Sequence, residues 1–194
     1  MGVPIMEKNH RQLPAHCHRI VLYGPESTGK TTLAKALAAH YDTEWVPEFA
    51  RTYLQEKWDS HKTTCTLEDL PLIVHGQLAW ENERLAKAKR WLFCDTNALV
   101  TQVWSVTHFN GYCAPEIKAA VHQLHYDFYL LTTPDIPWEK DDLRDRPEAR
   151  DAMFGVFKQY LESQNTPYFV VTGQGEQRLQ SAIQALERAF PLAQ

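Results

Sequence analysis

No apolar run in this sequence approaches the roughly 20 residues that carry a helix across a bilayer, so a helical membrane span is excluded. The opening residues, MGVPIMEKNHRQLPAHCHR, have no apolar centre like that of a secretory signal. Met1-Gly2 is not followed by Ser or Thr at the position a myristoylation motif uses. The expected compartment is therefore the cytoplasm. Basic residues are not in surplus either: 20 Lys and Arg against 24 Asp and Glu give a formal charge of −4. That balance argues against a nucleic-acid partner, although a few local cations suffice to hold a small anionic ligand. Cysteine is sparse, with Cys17, Cys65, Cys94 and Cys113 forming no CxxC pair, so reduced thiols are expected. His16, Cys17 and His18 have no second ligand cluster to complete a tetrahedral metal site and read as chance neighbours. Internal repeats and long linkers are absent. Residues 1–17 read as a flexible leader and 18–194 as one domain, whose 44% hydrophobic content suits a single core.

What the sequence does contain is an alternation of short apolar runs and amphipathic stretches. Arg19 to Tyr23 stops at Gly24 and suits a buried parallel strand. Thr31 to His40 carries Leu33 and Leu37 at helical spacing. Trp45-Val46 predicts a second strand and 48–57 a second helix. Thr66, with Glu68 and Asp69 after it, predicts the start of a long helix toward Arg90. Trp91 to Cys94 is a third strand closed by Asp95, and helices are expected over 97–107 and 115–124, the latter opened by Pro115. A fourth strand spans 128–131, and a polar, proline-punctuated segment follows to Arg150. Phe154, Phe157 and Leu161 mark another helix, Tyr168 to Val171 a fifth strand, and Leu179, Ile183 and Leu186 a last helix. This is the α/β pattern of a three-layer sandwich: a five-stranded, mostly parallel sheet flanked by helices. Ligands of such sheets bind beyond the carboxyl ends of the strands. Gly24, Glu48, Asp95, Thr132 and Gly173 all fall there.

Gly24-Pro25-Glu26-Ser27-Thr28-Gly29-Lys30-Thr31 matches G-x-x-x-x-G-K-[ST], the Walker A pattern of a P-loop NTPase. Glycines let the backbone turn so that successive N–H groups converge on phosphate oxygens. The helix opening near Lys30 and Thr32 adds the positive end of its dipole. Lys30 is placed to reach the β- and γ-phosphates, and the Thr31 hydroxyl to ligate a metal. The nucleotide-binding set is then Gly24, Glu26, Ser27, Thr28, Gly29, Lys30, Thr31 and Thr32, and the implied cofactors are ATP and Mg²⁺.

GPESTGKT (24–31), WVPEFAR (45–51), LFCDTNALVT (92–101) and YLLTTPDIPWEKDDLRDRPEAR (129–150) together resemble the ribosylnicotinamide kinase domain of NadR-type proteins, a branch of the P-loop nucleoside and nucleotide kinases. The resemblance implies transfer of the γ-phosphate of ATP to the ribose 5′-hydroxyl of nicotinamide riboside. NadR proteins also carry an adenylyltransferase domain, and some a helix-turn-helix. No HxGH-type nucleotidyltransferase motif occurs here, so a stand-alone kinase domain is expected, without operator binding.

Three further roles need residues. Related nucleoside kinases place an acid near the acceptor hydroxyl where Glu48 stands, and Asp95 is the competing candidate base. Asp95, ending an apolar strand, is also Walker B-like and a candidate for the metal together with Thr31. Arg144 and Arg146 lie in a segment, about 133–150, that resembles the lid of such kinases, whose arginines close over ATP; guanidinium geometry suits bidentate phosphate contact. Surface pairing with Asp141, Asp142 or Asp145 is the alternative. Arg51 is a further candidate for substrate or phosphate. Asn97 is a candidate substrate contact, at a position where the resembling domains often carry a second acid. Gln174 stands in the loop placed as the adenine-side loop is in similar kinases. Trp45, Trp104, Tyr112 and Trp138 include candidate stacking partners. The expected partner is a small nucleoside-like molecule, with homo-oligomerisation left open. Competing readings are a kinase for another nucleoside or a nucleotide, and an ATP-dependent switch; the guanine-reading N-K-x-D motif of GTPase switches is absent.

Overall fold

A computed structural model describes residues 11–138 and 147–191. Five strands, β1 (His18–Tyr23), β2 (Glu44–Val46), β3 (Trp91–Asp95), β4 (Phe128–Thr132) and β5 (Tyr168–Val171), pair in the order β2-β3-β1-β4-β5, all parallel. Parallel strands covered on both faces need apolar side chains in both directions, and β1 supplies them. Ile20 and Leu22 face one layer and Val21 and Tyr23 the other. On the first side they pack with Leu33 and Leu37 of α1 (Lys30–His40) and with Ile183 and Leu186 of α7 (Gly175–Ala189). On the second they meet Leu85 of α3 (Asp69–Leu85), Leu99 and Val103 of α4 (Ala98–His108), and Phe157 and Leu161 of α6 (Arg150–Glu162). A third apolar cluster joins α2 (Phe49–His61) and α5 (Pro115–Gln123) to α3 and α4. No described helix is long and apolar enough to cross a membrane.

Helix α3 both begins and ends elsewhere than the sequence suggests. Helix α3 begins at Asp69, because Thr66 spends its backbone N–H (2.6 Å) and hydroxyl (3.0 Å) on the Asp69 carboxylate. The same carboxylate takes the Tyr53 hydroxyl (2.8 Å) and Lys57 (2.5 Å), fastening α2 to the head of α3. Burial alone would raise that carboxyl, but these hydrogen bonds outweigh it and hold it below the ordinary aspartate value. Helix α3 also stops five residues short of Arg90, in a tight turn where Lys87 N–H meets Arg84 O, which lets Ala88 drop into the core. Of the expected flexible leader, residues 11–17 are fastened rather than loose: Gln12 exchanges two hydrogen bonds with the His125 backbone, Leu13 N–H meets Asn82, and His16 meets Ala88 O.

Glu81 of α3 is fully buried at the amino end of the sheet, where the Tyr126 hydroxyl reaches both carboxylate oxygens at 3.0 and 3.2 Å. Burial pushes its pKa up to about 7, against the pull of Tyr126 and Arg19. An acid whose folded pKa exceeds its unfolded value loses stability as pH rises between the two. Glu81→Gln should therefore raise unfolding stability by on the order of 1–2 kcal/mol at pH 8, with little effect at pH 5. Denaturant unfolding at the two pH values checks this, and an equal shift at both would contradict it.

Candidate active site

Strand β1 delivers the chain to Gly24, whose φ is +138°. A Cβ there would stand 2.8 Å from both the carbonyl oxygen and Oγ1 of Thr132, so only glycine lets the loop leave β1 beside the end of β4. Ser27 (φ 51°) and Gly29 (φ 75°) then take left-handed conformations before α1 opens at Lys30. Such alternation turns backbone N–H groups inward toward an anion. Thr28 braces the loop from within. Its buried hydroxyl donates to Pro25 O (2.8 Å) and pairs with Thr132 Oγ1 (2.7 Å), so its side chain serves the loop rather than a ligand.

Lys30 Nζ donates to Gly24 O (3.0 Å) and Pro25 O (2.7 Å), folded back along the loop it belongs to. The next residue, Thr31, donates its hydroxyl to Asp95 Oδ2 at 2.5 Å. Asp95 ends β3 in register with Leu22 of β1, which is how a residue 64 positions away reaches the loop. Its other oxygen, Oδ1, is buried without a hydrogen-bond partner among the described residues. Burial, and next the Glu48 carboxylate, push the Asp95 pKa up to about 7, while Lys30 and Thr31 pull against them. The Glu48 carboxylate and the unsatisfied buried oxygen leave the ionised Asp95 under-compensated despite Lys30. Hard oxygen donors of this kind suit Mg²⁺, which takes a carboxylate, a hydroxyl and phosphate oxygens.

Glu48 occupies the N-cap of α2 but makes no capping bond with its side chain. It lines a cavity of about 450 Å³ together with Arg51 and every residue from Gly24 to Thr32. Beyond the phosphate loop the walls are of two kinds. Ile136, Trp138, Arg150 and Met153 come from the connection after β4 and from α6. Leu54, Leu70, Ile73, Val100, Thr101 and Trp104 come from α2, α3 and α4 and make an apolar recess. Trp104 lies parallel to His108 at 4.1 Å between ring centroids. Of the other aromatics singled out, Trp45 packs at the edge of the α1 core and Tyr112 is an exposed loop residue, and neither reaches the cavity.

Two sequence expectations, Asn97 and Gln174, are placed differently. Asn97 is buried; its Oδ1 accepts from Leu99 and Val100 N–H, capping α4, and its Nδ2 donates to Tyr129. Its polar atoms are spent inside the fold, away from the cavity. Gln174 donates to Asp135 O (2.8 Å) at the N-cap of α7, also off the cavity wall. Arg144 and Arg146 lie outside the described residues.

Two arginines that the sequence did not single out are built into the site. Arg150 donates to Ser27 O (3.2 Å) and Ile136 O (2.8 Å) with Trp138 beneath its guanidinium, on the cavity wall. Arg178 is buried and bonds Asp135 (2.6 Å), Gly173 O (2.7 Å), Thr28 O (2.8 Å) and Thr133 O (3.1 Å), tying the phosphate loop to the loops after β4 and β5. The only sequence signal for Arg150 was its place at the end of the segment 129–150, and Arg178 had none.

A family model described as AAA domain, AAA_28, matches residues 19–178. The trifunctional NAD biosynthesis/regulator protein NadR of Escherichia coli (strain K12) is 25% identical over 131 residues, which are 68% of this chain and 32% of that protein. The chain thus spans about a third of that relative's length. A crystal structure of NadR protein in complex with NR superposes with a TM-score of 0.76 at 21% identity, over 91% of this chain and 52% of that one. Deoxyadenosine kinase from M. mycoides, with products dCMP and a flexible dCDP bound, superposes with a TM-score of 0.64 at 11% identity, over 88% and 99%. These similarities bear out the resemblance noted in the four sequence segments, and the fold is that of the P-loop kinases.

Proposed function

We propose that this chain, which belongs to the AAA_28 family of AAA domains, is an ATP-dependent kinase for a nucleoside, with nicotinamide riboside as the first candidate acceptor. The observation that carries this reading is one continuous cavity. It has the phosphate loop along one wall, an apolar aromatic recess along another, and an uncapped carboxylate, Glu48, opening onto it. A nucleotide switch needs no such recess; a group that must bring a second small molecule to the γ-phosphate does.

In this reading the loop N–H groups and the α1 dipole hold the phosphates, and Lys30 exchanges its carbonyl partners for phosphate oxygens. Thr31 and Asp95 would hold Mg²⁺, which when bound screens charge on the β- and γ-phosphates. Glu48 orients the acceptor hydroxyl and takes its proton as the hydroxyl oxygen bonds to the γ-phosphorus. The bond from that phosphorus to the β–γ bridging oxygen breaks, and ADP leaves. With nicotinamide riboside the product is nicotinamide mononucleotide. The apolar recess offers Trp104 to a flat heteroaromatic ring, while Arg51 and Arg150 supply positive charge to the cavity.

Incubation with ATP, Mg²⁺ and a panel of nucleosides, with ADP and phosphorylated product followed together, tests the reading. Nicotinamide riboside is expected to give product at several times the rate of uridine, cytidine or deoxynucleosides. Turnover of another nucleoside alone keeps the mechanism and discards the acceptor. ATP hydrolysis with no acceptor phosphorylated favours the switch.

A further inference from the structure

Glu48 stands at a helix N-cap yet its side chain makes no capping hydrogen bond. A helix start exposes four backbone N–H groups that need partners, and a polar N-cap side chain ordinarily folds back to meet one. Here a different residue supplies a partner. Gln77, buried at the middle of α3, accepts the Phe49 N–H on its Oε1 at 2.9 Å. Directly before it, Gly76 gives the Phe49 ring its seat: a Cβ at Gly76 would lie 2.3 Å from the ring carbons. Trp80, one turn on, closes over the same ring edge to face, with centroids 4.9 Å apart. Helix α3 therefore holds both the backbone and the side chain of the residue that follows Glu48.

We propose that Gln77 and Gly76 are positioning residues that aim the Glu48 carboxylate into the cavity, in a role that rests on the reading of Glu48 as the group that meets the acceptor hydroxyl. Leu70, Ile73 and Gln77 fall at i, i+3 and i+7, on one face of α3. The first two line the apolar recess, and the third fixes the chain that carries the acid. One helix thus sets both where an acceptor rests and where the acid points. The Nε2 of Gln77 adds to the case. It is buried with no hydrogen-bond partner among the described residues, an unfavourable arrangement that a side chain selected for packing alone would shed by becoming apolar.

The test is a kinetic cycle with the nucleoside that the wild type phosphorylates. Gln77→Leu keeps the volume and removes the acceptor. It is expected to lower kcat on the order of tenfold to a hundredfold, with KM for ATP within about twofold of wild type. In a Glu48→Gln background the same change should cost almost nothing further, because the two act through one group. Gly76→Ala, which displaces the ring without touching the amide, should show the same split and stands in if Gln77→Leu fails to fold. Parallel losses in KM for ATP and kcat, or losses that multiply independently of Glu48→Gln, overturn the positioning role and leave the reading of Glu48 standing. A Glu48→Gln variant with wild-type turnover removes both. A wild type that phosphorylates no nucleoside sinks the kinase reading and the inference with it.

Discussion

Lys30→Ala should reduce nucleoside phosphorylation by on the order of 10²–10³ in kcat while leaving unfolding stability within about 1 kcal/mol of wild type. The asymmetry follows from what Lys30 does in the nucleotide-free protein. Its ammonium satisfies Gly24 O and Pro25 O, two carbonyls of its own loop, at a partly buried position that water can take over. Lys30 belongs to none of the three apolar clusters among the described residues. In the proposed reaction the same ammonium would supply a full positive charge where negative charge moves from the γ-phosphate to the leaving oxygen. Lys30→Arg should restore little, since a planar guanidinium is larger and cannot replace a compact charge in a loop this tight. Steady-state kinetics at saturating nucleoside, beside thermal unfolding without nucleotide, separates the two effects. Retained turnover would mean that Lys30 has no part in the transfer.

The parts of the site that were legible from sequence are those whose requirements are local. A phosphate loop needs glycine where a Cβ would collide, as at Gly24, and Lys-Thr where the helix begins, so eight consecutive residues declare it. The strands were legible because a parallel sheet covered on both sides leaves unbroken apolar runs, and Asp95 stood out as the acid that ends one. Asn97 shows the limit of residue type alone. An asparagine one residue before an apolar helix is also a good N-cap, and the cap is the role it takes. What the sequence did not disclose depends on partners far along the chain. Arg178 reaches Thr28 across 150 positions, Arg150 reaches Ser27 across 123, and Gln77 reaches Phe49 across 28. None of the three has a spacing rule, because each answers to backbone carbonyls or N–H groups that only the fold brings near. The misjudged start of α3 has the same origin. Thr66 is a good cap by type, but the Asp69 carboxylate, also needed by Tyr53 and Lys57, draws it into a different bond.

Asp95→Asn is expected to lower kcat by on the order of 10²–10³ and, in metal-free protein, to raise stability above neutral pH. The loss of turnover follows from the charge: an amide keeps an oxygen for the Thr31 hydroxyl but offers a cation a neutral ligand in place of a carboxylate. The gain in stability has the opposite root. Burial and the nearby Glu48 carboxylate hold the Asp95 pKa near 7, above the unfolded aspartate value. Between about pH 4 and pH 7 the folded state keeps a proton that the unfolded chain releases, so stability falls across that window as pH rises and stays reduced above it. An amide has no such cost. The variant and the wild type should therefore unfold alike near pH 4 and diverge by pH 8, with the variant the more stable. Urea unfolding in chelator across pH 4–8 reads this directly. A variant that is less stable at pH 8 would mean that the ionised Asp95 is already compensated by the fold. The buried charge would then need no metal, and the case for Asp95 as a ligand would fall. The predicted combination, a more stable and nearly inactive protein, is what a site that keeps an unfavourable charge for the sake of its ligands should give.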